Sequence, residues 1–215
     1  MYVPKQFEES RLEVLHALIK AHPLAVFVIF DGTELVVNHI PFFIDERAGP
    51  SGTLRGHVAR ANPVWRKLSS TVQAAAIFQG PQSYITPSWY PSKHAHGKAV
   101  PTWNYAVVHA FGYARSVEDR DWLLAHVTEL TDQQEARRAL PWRVSDAPSD
   151  YIDAQLGKIV GIELPIETLT GKWKVSQNRA VSDRLGVAAG LRSRDDEDAR
   201  AMADLVMQHV PQPPD

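Results

Sequence analysis

The chain has 215 residues, of which 44% are hydrophobic and 22% are charged, and its formal net charge is −2. This is an ordinary globular composition, with enough apolar residues for a sizeable core and without the long basic cluster of a dedicated DNA-binding domain. Because there is no cysteine, disulfides, thiolate catalysis and cysteine-ligated metal centres are excluded.

The N-terminal segment carries no targeting pattern. It is polar and charged in its first turns, and it lacks the apolar stretch and small-residue cleavage site of a signal peptide. The longest apolar run, residues 24–30, is too short to cross a bilayer. We therefore expect a cytoplasmic protein with no membrane partner.

The first half of the chain is predicted to be a helix followed by strands. Leucine and isoleucine at helical spacing predict a helix over residues 8–22, which Pro23 ends. Residues 24–30 and 34–40 are predicted strands, joined by a tight turn at Asp31-Gly32. Further strands are predicted over residues 53–58, 72–78, 83–86 and 104–116.

The second half is predicted to be mainly helical. Helices are expected after Glu118 and over residues 132–140, 149–157 and 195–210, with one more strand at 159–167. This order predicts an α+β fold: a six-stranded antiparallel split β-barrel with helices packed at one end and a C-terminal helical segment. Residues 1–190 are predicted to form the barrel domain. The amphipathic helix and Pro-rich tail of residues 191–215 are expected to pack on that same domain.

Common catalytic and nucleotide-binding motifs are absent from the sequence. There is no G-x-G-x-x-G, no P-loop, no G-x-S-x-G and no H-E-x-x-H. His94 and His96 stand in a polar loop, but no carboxylate nearby completes a metal site. We therefore predict no metal centre.

The first segment with unusual composition is the strand end at residues 54–63. It carries Arg55, His57 and Arg60, with Gly56 allowing close approach of the backbone. Forked cations beside other donors suit a dianionic phosphate. The alternative is a surface strand end with ordinary solvated arginines.

The second segment combines aromatic side chains with short polar ones. Residues 79–93 and 100–105 contain tryptophan and tyrosine beside serine, threonine and asparagine, stiffened by prolines. Such a set suits a flat heteroaromatic ligand, which stacks on the rings and bonds to the polar groups. The same residues would also serve a subunit interface, and both interpretations hold if the ligand lies between subunits.

The third segment, residues 171–179, alternates cations with an aromatic residue and polar hydrogen-bonding side chains. Locally this pattern would fit nucleic-acid binding. It would equally fit a cation placed beside the pyrimidine edge of a flavin.

Taken together and in this order, the segments resemble the PaiB-type FMN-binding family of split-barrel flavoproteins, named as negative transcriptional regulators. The resemblance covers residues 1 to about 190, through the stretches MYVPKQF, NHIPFFID, GTLRGHVARANPVW, FQGPQSYITPSWYPSK, VPTWNY, IVGIEL and GKWKVSQNR. It implies a bacterial, cytoplasmic homodimer of split barrels with FMN held at the subunit interface.

The resemblance also implies candidate FMN ligands at the phosphate end. GHVARANP resembles the strand end that grips the flavin phosphate in related split barrels, which implies His57 and Arg60 for the phosphate and Asn62 for the turn. NHIPF resembles the neighbouring strand, so Asn38 and His39 are expected to line the same pocket.

The ring and ribityl contacts are expected from the aromatic and C-terminal segments. The candidates from the aromatic segments are Ser88, Trp89, Trp103 and Asn104. Those from the C-terminal segment are Lys174, Ser176 and Gln177.

Three functions stay open at this point, and no catalytic residue is predicted. The first is a flavin- or redox-linked negative regulator, although arginines mixed with aspartates over residues 181–210 favour a solvated face over direct DNA contact. The alternative is an FMN-dependent oxidoreductase of the pyridoxamine-phosphate-oxidase-like class. A lower alternative is haem binding through His39, His57 or His94.

Overall fold

The computed structural model describes residues 1–211, apart from the side chain of His94, and its strands form two antiparallel sheets. The strands are β1 (Glu8–Glu9), β2 (Leu24–Phe30), β3 (Leu35–Pro41), β4 (Phe43–Asp45), β5 (Thr53–Ala59), β6 (Gln73–Ile85), β7 (Thr102–Tyr113), β8 (Arg115–Val117), β9 (Ile159–Pro165) and β10 (Thr168–Lys174). One sheet has six strands in the order β1-β10-β7-β6-β2-β3. The other has four in the order β4-β5-β9-β8.

Six helices accompany the sheets in the described part of the chain. They are α1 (Leu12–Ala21), α2 (Pro91–His96), α3 (Arg120–Glu135), α4 (Ser149–Leu156), α5 (Val181–Arg192) and α6 (Glu197–Gln208). Short 3-10 helices occur at Lys5–Phe7, Pro63–Lys67, Pro87–Trp89 and Val144–Asp146. None of these helices is long and apolar enough to span a membrane.

The chain divides into two units, each made of separate stretches. The terminal unit comprises residues 1–15, 79–108 and the chain from residue 170 onward. The central unit comprises residues 16–78 and 109–169. β6 and β7 each contribute residues to both units. The predicted boundary at residue 190 falls inside α5.

The hairpin of β2 and β3 defines an inner and an outer face in the central unit. All seven residues of β2 pair with β3, from Leu24 opposite Pro41 to Phe30 opposite Leu35. The carboxylate of Asp31 closes the turn by accepting two backbone N–H groups at 2.9 and 3.0 Å. Because side chains alternate along a strand, every second residue of β2 is buried.

An aromatic cluster forms the core of the central unit. The ring of Phe42 lies 5.9 Å from that of Phe27 and 6.4 Å from that of Phe78. Gly56 of β5 makes room for this ring, because a Cβ there would lie 2.8 Å from Phe42. The small residue that the sequence suggested for ligand approach therefore serves the packing of the core.

The α+β class and the antiparallel strands agree with the sequence prediction, but the described strands form two sheets instead of one six-stranded barrel. The chain passes between the sheets at Phe42, which separates β3 from β4, and at Ala114, which separates β7 from β8. Both side chains are buried. Each passage therefore places an apolar side chain in the core.

Some element boundaries differ from the sequence prediction. The predicted strands 72–78 and 83–86 are one strand, β6, which continues through Gly80-Pro81. The first predicted helix begins later, because Glu8 and Glu9 pair with β10 as β1. Residues 132–140 contribute only the last turn of α3. The polar loop expected after β6 contains α2.

The two C-terminal helices pack within the terminal unit. The apolar stripe of α6 is buried through Ala199, Met202, Ala203 and Val206, as its periodicity predicts. Arg184 of α5 ties the end of α6 by donating to the carbonyl of His209 at 2.6 Å. The predicted Pro-rich tail lies beyond the described residues.

Candidate functional site

The structure separates the predicted ligands into two groups, one in each unit. The central unit carries Asn38, His39, His57, Arg60 and Asn62. The terminal unit carries Ser88, Trp89, Trp103, Asn104, Lys174, Ser176 and Gln177. Each group is described by itself.

In the terminal unit, aromatic rings and lysines of three strands form a surface that we call the aromatic–lysine face. It consists of Tyr84, Trp103, Tyr105, Lys172 and Lys174. Trp103 is 54% exposed, and its ring lies edge-to-face with that of Tyr84 at 6.1 Å. The ammonium group of Lys172 lies 5.3 Å from the centre of the Tyr105 ring. Such a surface offers flat apolar area beside positive charge.

Lys174 is held in place at this face by its neighbours on β7. Its Nζ donates to the hydroxyl of Thr102 and, at 2.8 Å, to the carbonyl of Trp103. Burial lowers the pKa of Lys174 from its ordinary value. The geometry therefore presents a half-buried cation with a fixed position.

Asn104 of β7 and Ser176, two residues beyond Lys174, form a buried polar pair. The side-chain amide of Asn104 donates to the hydroxyl of Ser176 at 2.9 Å. Asn104 is only 1% exposed, and its Oδ1 has no partner among the described residues. An unsatisfied buried acceptor of this kind calls for a ligand or water that supplies a donor.

The backbone at Ser176 is strained. Its φ is 67°, and in the described part of the chain it is the one non-glycine residue with a positive φ. Conformations of this type cost about 1–3 kcal/mol and cluster at binding sites. Gln177 supports the turn, because its amide donates to the carbonyl of Trp173 and its Oε1 accepts the N–H of Val175. Gln177 therefore positions this loop.

Trp89 and Ser88 lie in the 3-10 helix Pro87–Trp89, which packs on α5. The indole of Trp89 occupies the space where a Cβ on Gly190 would lie. The backbone carbonyl of Trp89 occupies the corresponding space where a Cβ on Gly186 would lie. Ser88 is exposed, and its N–H is capped by the hydroxyl of Thr86 at 3.3 Å. Much of the Trp89 ring is thus used in packing, which no local sequence pattern indicates.

Two buried groups near α2 were not predicted as site residues. Tyr90 is fully buried, its hydroxyl has no partner among the described residues, and the guanidinium of Arg179 lies 4.7 Å from its ring centre. Asp183 of α5 accepts both the N–H and the hydroxyl of Ser92, at 3.0 and 2.7 Å. These contacts fix α2 against α5.

In the central unit, Asn62 organises the turn at the end of β5, as predicted. Its Oδ1 accepts the N–H of Val64 at 3.0 Å, which caps the 3-10 helix Pro63–Lys67. Its amide donates to Oδ1 of Asn38 at 2.7 Å. The structure therefore brings these two predicted residues together, while His39 lies exposed on β3.

Arg60 bonds to protein groups in this structure. Its guanidinium donates to the carbonyls of Gly157 and Ile159, at 3.0 and 3.2 Å, and forms an ion pair with Glu118. The two carbonyl bonds fasten the end of β5 to the start of β9. A phosphate at Arg60 would compete with the exposed carboxylate of Glu118.

Arg55 belongs to an ion network. It pairs with Asp45 at 2.8 Å and Glu129 at 3.3 Å, and its Nε lies 3.9 Å from Glu163. Arg115 adds a second cation to Glu163. The charge of Arg55 is therefore balanced by carboxylates of the same unit.

His57 forms a pair with a second histidine that the sequence did not single out. Its Nδ1 lies 3.0 Å from Nε2 of His126 in α3, whose ring stacks on Trp122 at 5.3 Å. His126 is fully buried, and its Nδ1 has no partner among the described residues. Burial lowers the pKa of His57, and burial with the nearby charges of His57 and Arg55 lowers that of His126 to about 3.

The remaining predictions concern metal and haem ligands. Within residues 1–211, leaving aside the side chain of His94, no group of three or more histidine, aspartate or glutamate side chains is placed to hold a metal ion. Of the three histidines named for haem, His39 is exposed and His57 has one nitrogen engaged by His126. The side chain of His94 lies outside the described residues.

The antiparallel α+β fold is similar to that of split-barrel flavoproteins. The chain belongs to the PaiB-type FMN-binding family: the model of the family described as "Putative FMN-binding domain" matches residues 1–168.

Relatives and a solved structure agree with this assignment. The chain is 32% identical to an uncharacterized protein of Emericella nidulans over 243 residues, covering 97% of each chain. It is 29% identical to the protease synthase and sporulation protein PAI 2 of Bacillus subtilis over 206 residues, covering 96% of each. The FAD and haem binding protein from Mycobacterium smegmatis shares the fold, with a TM-score of 0.58 and 18% identity over 78% of this chain and 73% of that one. Because the family includes fungal members, it does not establish a bacterial origin.

Proposed function

We propose that this protein binds FMN at the aromatic–lysine face and acts as a flavin-linked negative regulator of transcription. The observation that carries the proposal is the aromatic–lysine face itself, where the 54% exposed ring of Trp103 lies edge-to-face with Tyr84 and the ammonium group of Lys174 is held by Thr102. Asn104 lies between Trp103 and Tyr105 on β7, so its buried amide points to the opposite side of the strand, where it fixes Ser176.

The surrounding side chains fit the rest of the flavin ring. Trp103 and Tyr84 offer exposed aromatic surface, and Lys174 offers a cation fixed by Thr102. Bound FMN would supply the redox chemistry, and a nearby cation favours the anionic reduced ring. We propose that Trp103 stacks on the ring, that Lys174 compensates its charge, and that Ser88 and Ser176 bond to its polar groups.

In the central unit, taken by itself, we propose Arg60 and Asn62 as ligands of a phosphate group. Both lie at the end of β5, and Asn38 holds Asn62 in place. The exposed Glu118 is the one carboxylate that a phosphate would have to displace from Arg60. We leave His57 out, because its Nδ1 is bonded to His126 and burial lowers its pKa, so that it carries no positive charge near pH 7 to balance a dianion.

We also propose a homodimer, formed through the outer face of β2 and β3, with FMN at the subunit interface. Leu35 is 69% and Val37 is 55% exposed, and they stand opposite Phe30 and Val28 on one face of the sheet. Contiguous exposed apolar side chains of this kind mark interaction surfaces. β3 is also the edge strand of its sheet, which a second chain would cover.

The regulatory role is proposed without direct DNA contact. Three arginines of α5, α6 and the link between them are paired with acids: Arg192 with Asp204, Arg194 with Asp196 and Arg200 with Asp195. Arg184 of α5 donates to the backbone carbonyls of Arg179 and His209. A DNA-binding face needs cations that are free to neutralise phosphates. The name of the Bacillus subtilis relative, a protease synthase and sporulation protein, supports a regulatory role.

The second candidate function is an FMN-dependent oxidoreductase of the pyridoxamine-phosphate-oxidase-like class. It is supported by membership of an FMN-binding family, because a bound flavin supplies redox chemistry and the protein needs only to position a substrate.

The first test is the absorbance spectrum of the purified protein, with release of any chromophore and its identification by mass. We expect oxidised-flavin bands and released FMN. Trp103→Ala should weaken FMN binding about tenfold or more, since stacking contributes about 1–3 kcal/mol. Tyr151→Ala, which removes an equally exposed ring from α4, should leave the FMN affinity unchanged.

The outcomes separate the candidates. A colourless protein that fails to bind added FMN would overturn the flavin proposal. Holo-protein that consumes a reduced nicotinamide would favour the oxidoreductase. Altered transcript levels in a deletion strain, without such consumption, would favour the regulator.

A further inference from the structure

The central unit contains a cavity of about 260 Å³ between α3, α4 and the start of β9. Its apolar lining comes from Val127, Trp142, Val144, Ile152, Leu156 and Ile159. Its polar lining comes from His57, Thr131, Gln155 and Lys158. The volume lies just below the range of about 300–1,000 Å³ that holds drug-sized ligands, so it suits a small molecule.

His57 has one ring nitrogen free at this cavity. Its Nδ1 is bonded to Nε2 of His126, while its Nε2 makes no hydrogen bond with any residue in the described part of the chain. The lowered pKa values keep both imidazoles neutral near pH 7. Each ring therefore carries a single N–H, and one of the two rings donates it in the bond between them.

The surroundings of His126 decide which ring donates. Its Nδ1 is buried without a partner among the described residues. Buried N–H groups without an acceptor are rarer in proteins than buried acceptors without a donor. This favours the tautomer in which the proton of His126 is on Nε2 and is donated to His57. The proton of His57 is then on Nε2, as a donor to the cavity.

We propose that this cavity binds a small monocarboxylate with an apolar body. The carboxylate would accept the N–H of His57, and Lys158 at the rim would supply the opposite charge. The apolar walls would take the hydrocarbon part. This site does not depend on flavin, and its residues all belong to the central unit.

The test uses benzoate as the probe, titrated into the full-length protein. Binding is followed by calorimetry and by the ¹⁵N shifts of the His57 imidazole, which report where its proton lies. We expect saturable binding with a shift at Nε2. Benzylamine, which has the same ring and the opposite charge, should not bind. Inorganic phosphate should not compete.

Two pairs of variants locate the site. Val127→Phe fills the cavity and should weaken benzoate binding about tenfold or more, whereas Ala125→Phe, which adds the same ring to an exposed position of α3, should not. His57→Ala should weaken binding about tenfold to a hundredfold, the value of a hydrogen bond to a charged group. His57→Gln, which keeps a donor, should recover part of that loss.

Three results would overturn the proposal. The first is the absence of saturable benzoate binding to wild-type protein. The second is equal affinity in Val127→Phe and Ala125→Phe, with both variants shown to be folded by their thermal transitions. The third is competition by phosphate or FMN, which would assign His57 to the flavin phosphate. The FMN spectrum is recorded separately, so loss of either activity can be told from loss of the other.

Discussion

In the terminal unit, the indole of Trp89 lies where a Cβ on Gly190 of α5 would be. Only the absence of a Cβ allows this contact. It joins residues that are about a hundred positions apart in the chain, and it turns a tryptophan predicted to contact a ligand into one that also holds a helix.

Gly190→Ala should therefore destabilise the protein. Alanine improves helix propensity, but its methyl group would overlap the Trp89 ring, and overpacking of this kind costs about 1–3 kcal/mol. Urea unfolding measures the change. The matched control is Gly157→Ala, where the nearest atom would be 3.7 Å away, and it should be neutral or slightly stabilising. Equal stabilities of the two variants would contradict this packing.

The His57–His126 pair should make stability depend on pH. The folded pKa of His126 is lowered from 6.5 to about 3, so the unfolded state binds more protons between these values. The contribution of neutral His126 to the free energy of unfolding is fully present above about pH 6.5. It is lost as pH falls toward 3, at up to about 1.4 kcal/mol per pH unit.

Urea unfolding at pH 7 and pH 5 measures this loss, and His126→Gln should reduce it. His96→Gln, which alters an exposed histidine, should keep the wild-type dependence. If His126→Gln and wild type lost the same stability between the two pH values, His126 would not be the group responsible.

Arg60→Ala should lower both stability and FMN affinity. The variant loses the bonds to the carbonyls of Gly157 and Ile159, which should cost about 1–3 kcal/mol. Without the guanidinium, we expect FMN binding to weaken about tenfold or more. Arg66→Ala, which removes an exposed guanidinium near the same turn, should change neither quantity appreciably. A folded Arg60→Ala protein with wild-type FMN affinity would remove Arg60 from the phosphate site.

Val37→Lys should convert the proposed dimer to monomer, because it places a charge in the centre of the exposed apolar face of β2 and β3. Sedimentation velocity over a range of protein concentrations measures the change. Leu140→Lys alters an apolar residue that is 90% exposed outside this face, and it should leave the association state as in wild type. Dissociation by both variants, or by neither, would rule out this face.

Local patterns predicted the positions of many strands and helices along the chain correctly. The alternation in β2, the turn at Asp31-Gly32 and the amphipathic stripe of α6 each depend on neighbours within a few residues. β6 was divided in the prediction because Gly80-Pro81 is a typical turn pair. In the structure Gly80 is buried, and the strand continues through it. Tertiary packing overrode the local preference at that point.

In the candidate site, too, local sequence patterns predict the role of some residues and not of others. Asn62 could be predicted as a turn residue, because its cap acts on Val64, two positions along. The partner of His57 could not, because His126 lies 69 residues away and on a helix. Arg60 presented the same difficulty, since its carbonyl partners follow almost a hundred residues later.

By itself, the sequence determined the α+β class, the lack of thiol chemistry and, through its ordered motifs, membership of the FMN-binding family. Only the tertiary structure decided how the strands divide between two sheets, which cations are already paired, and which polar atoms are left unsatisfied, as in Asn104. The reason is physical: periodicity and turn chemistry act over a few residues, whereas burial and hydrogen-bond satisfaction depend on groups brought together from distant parts of the chain.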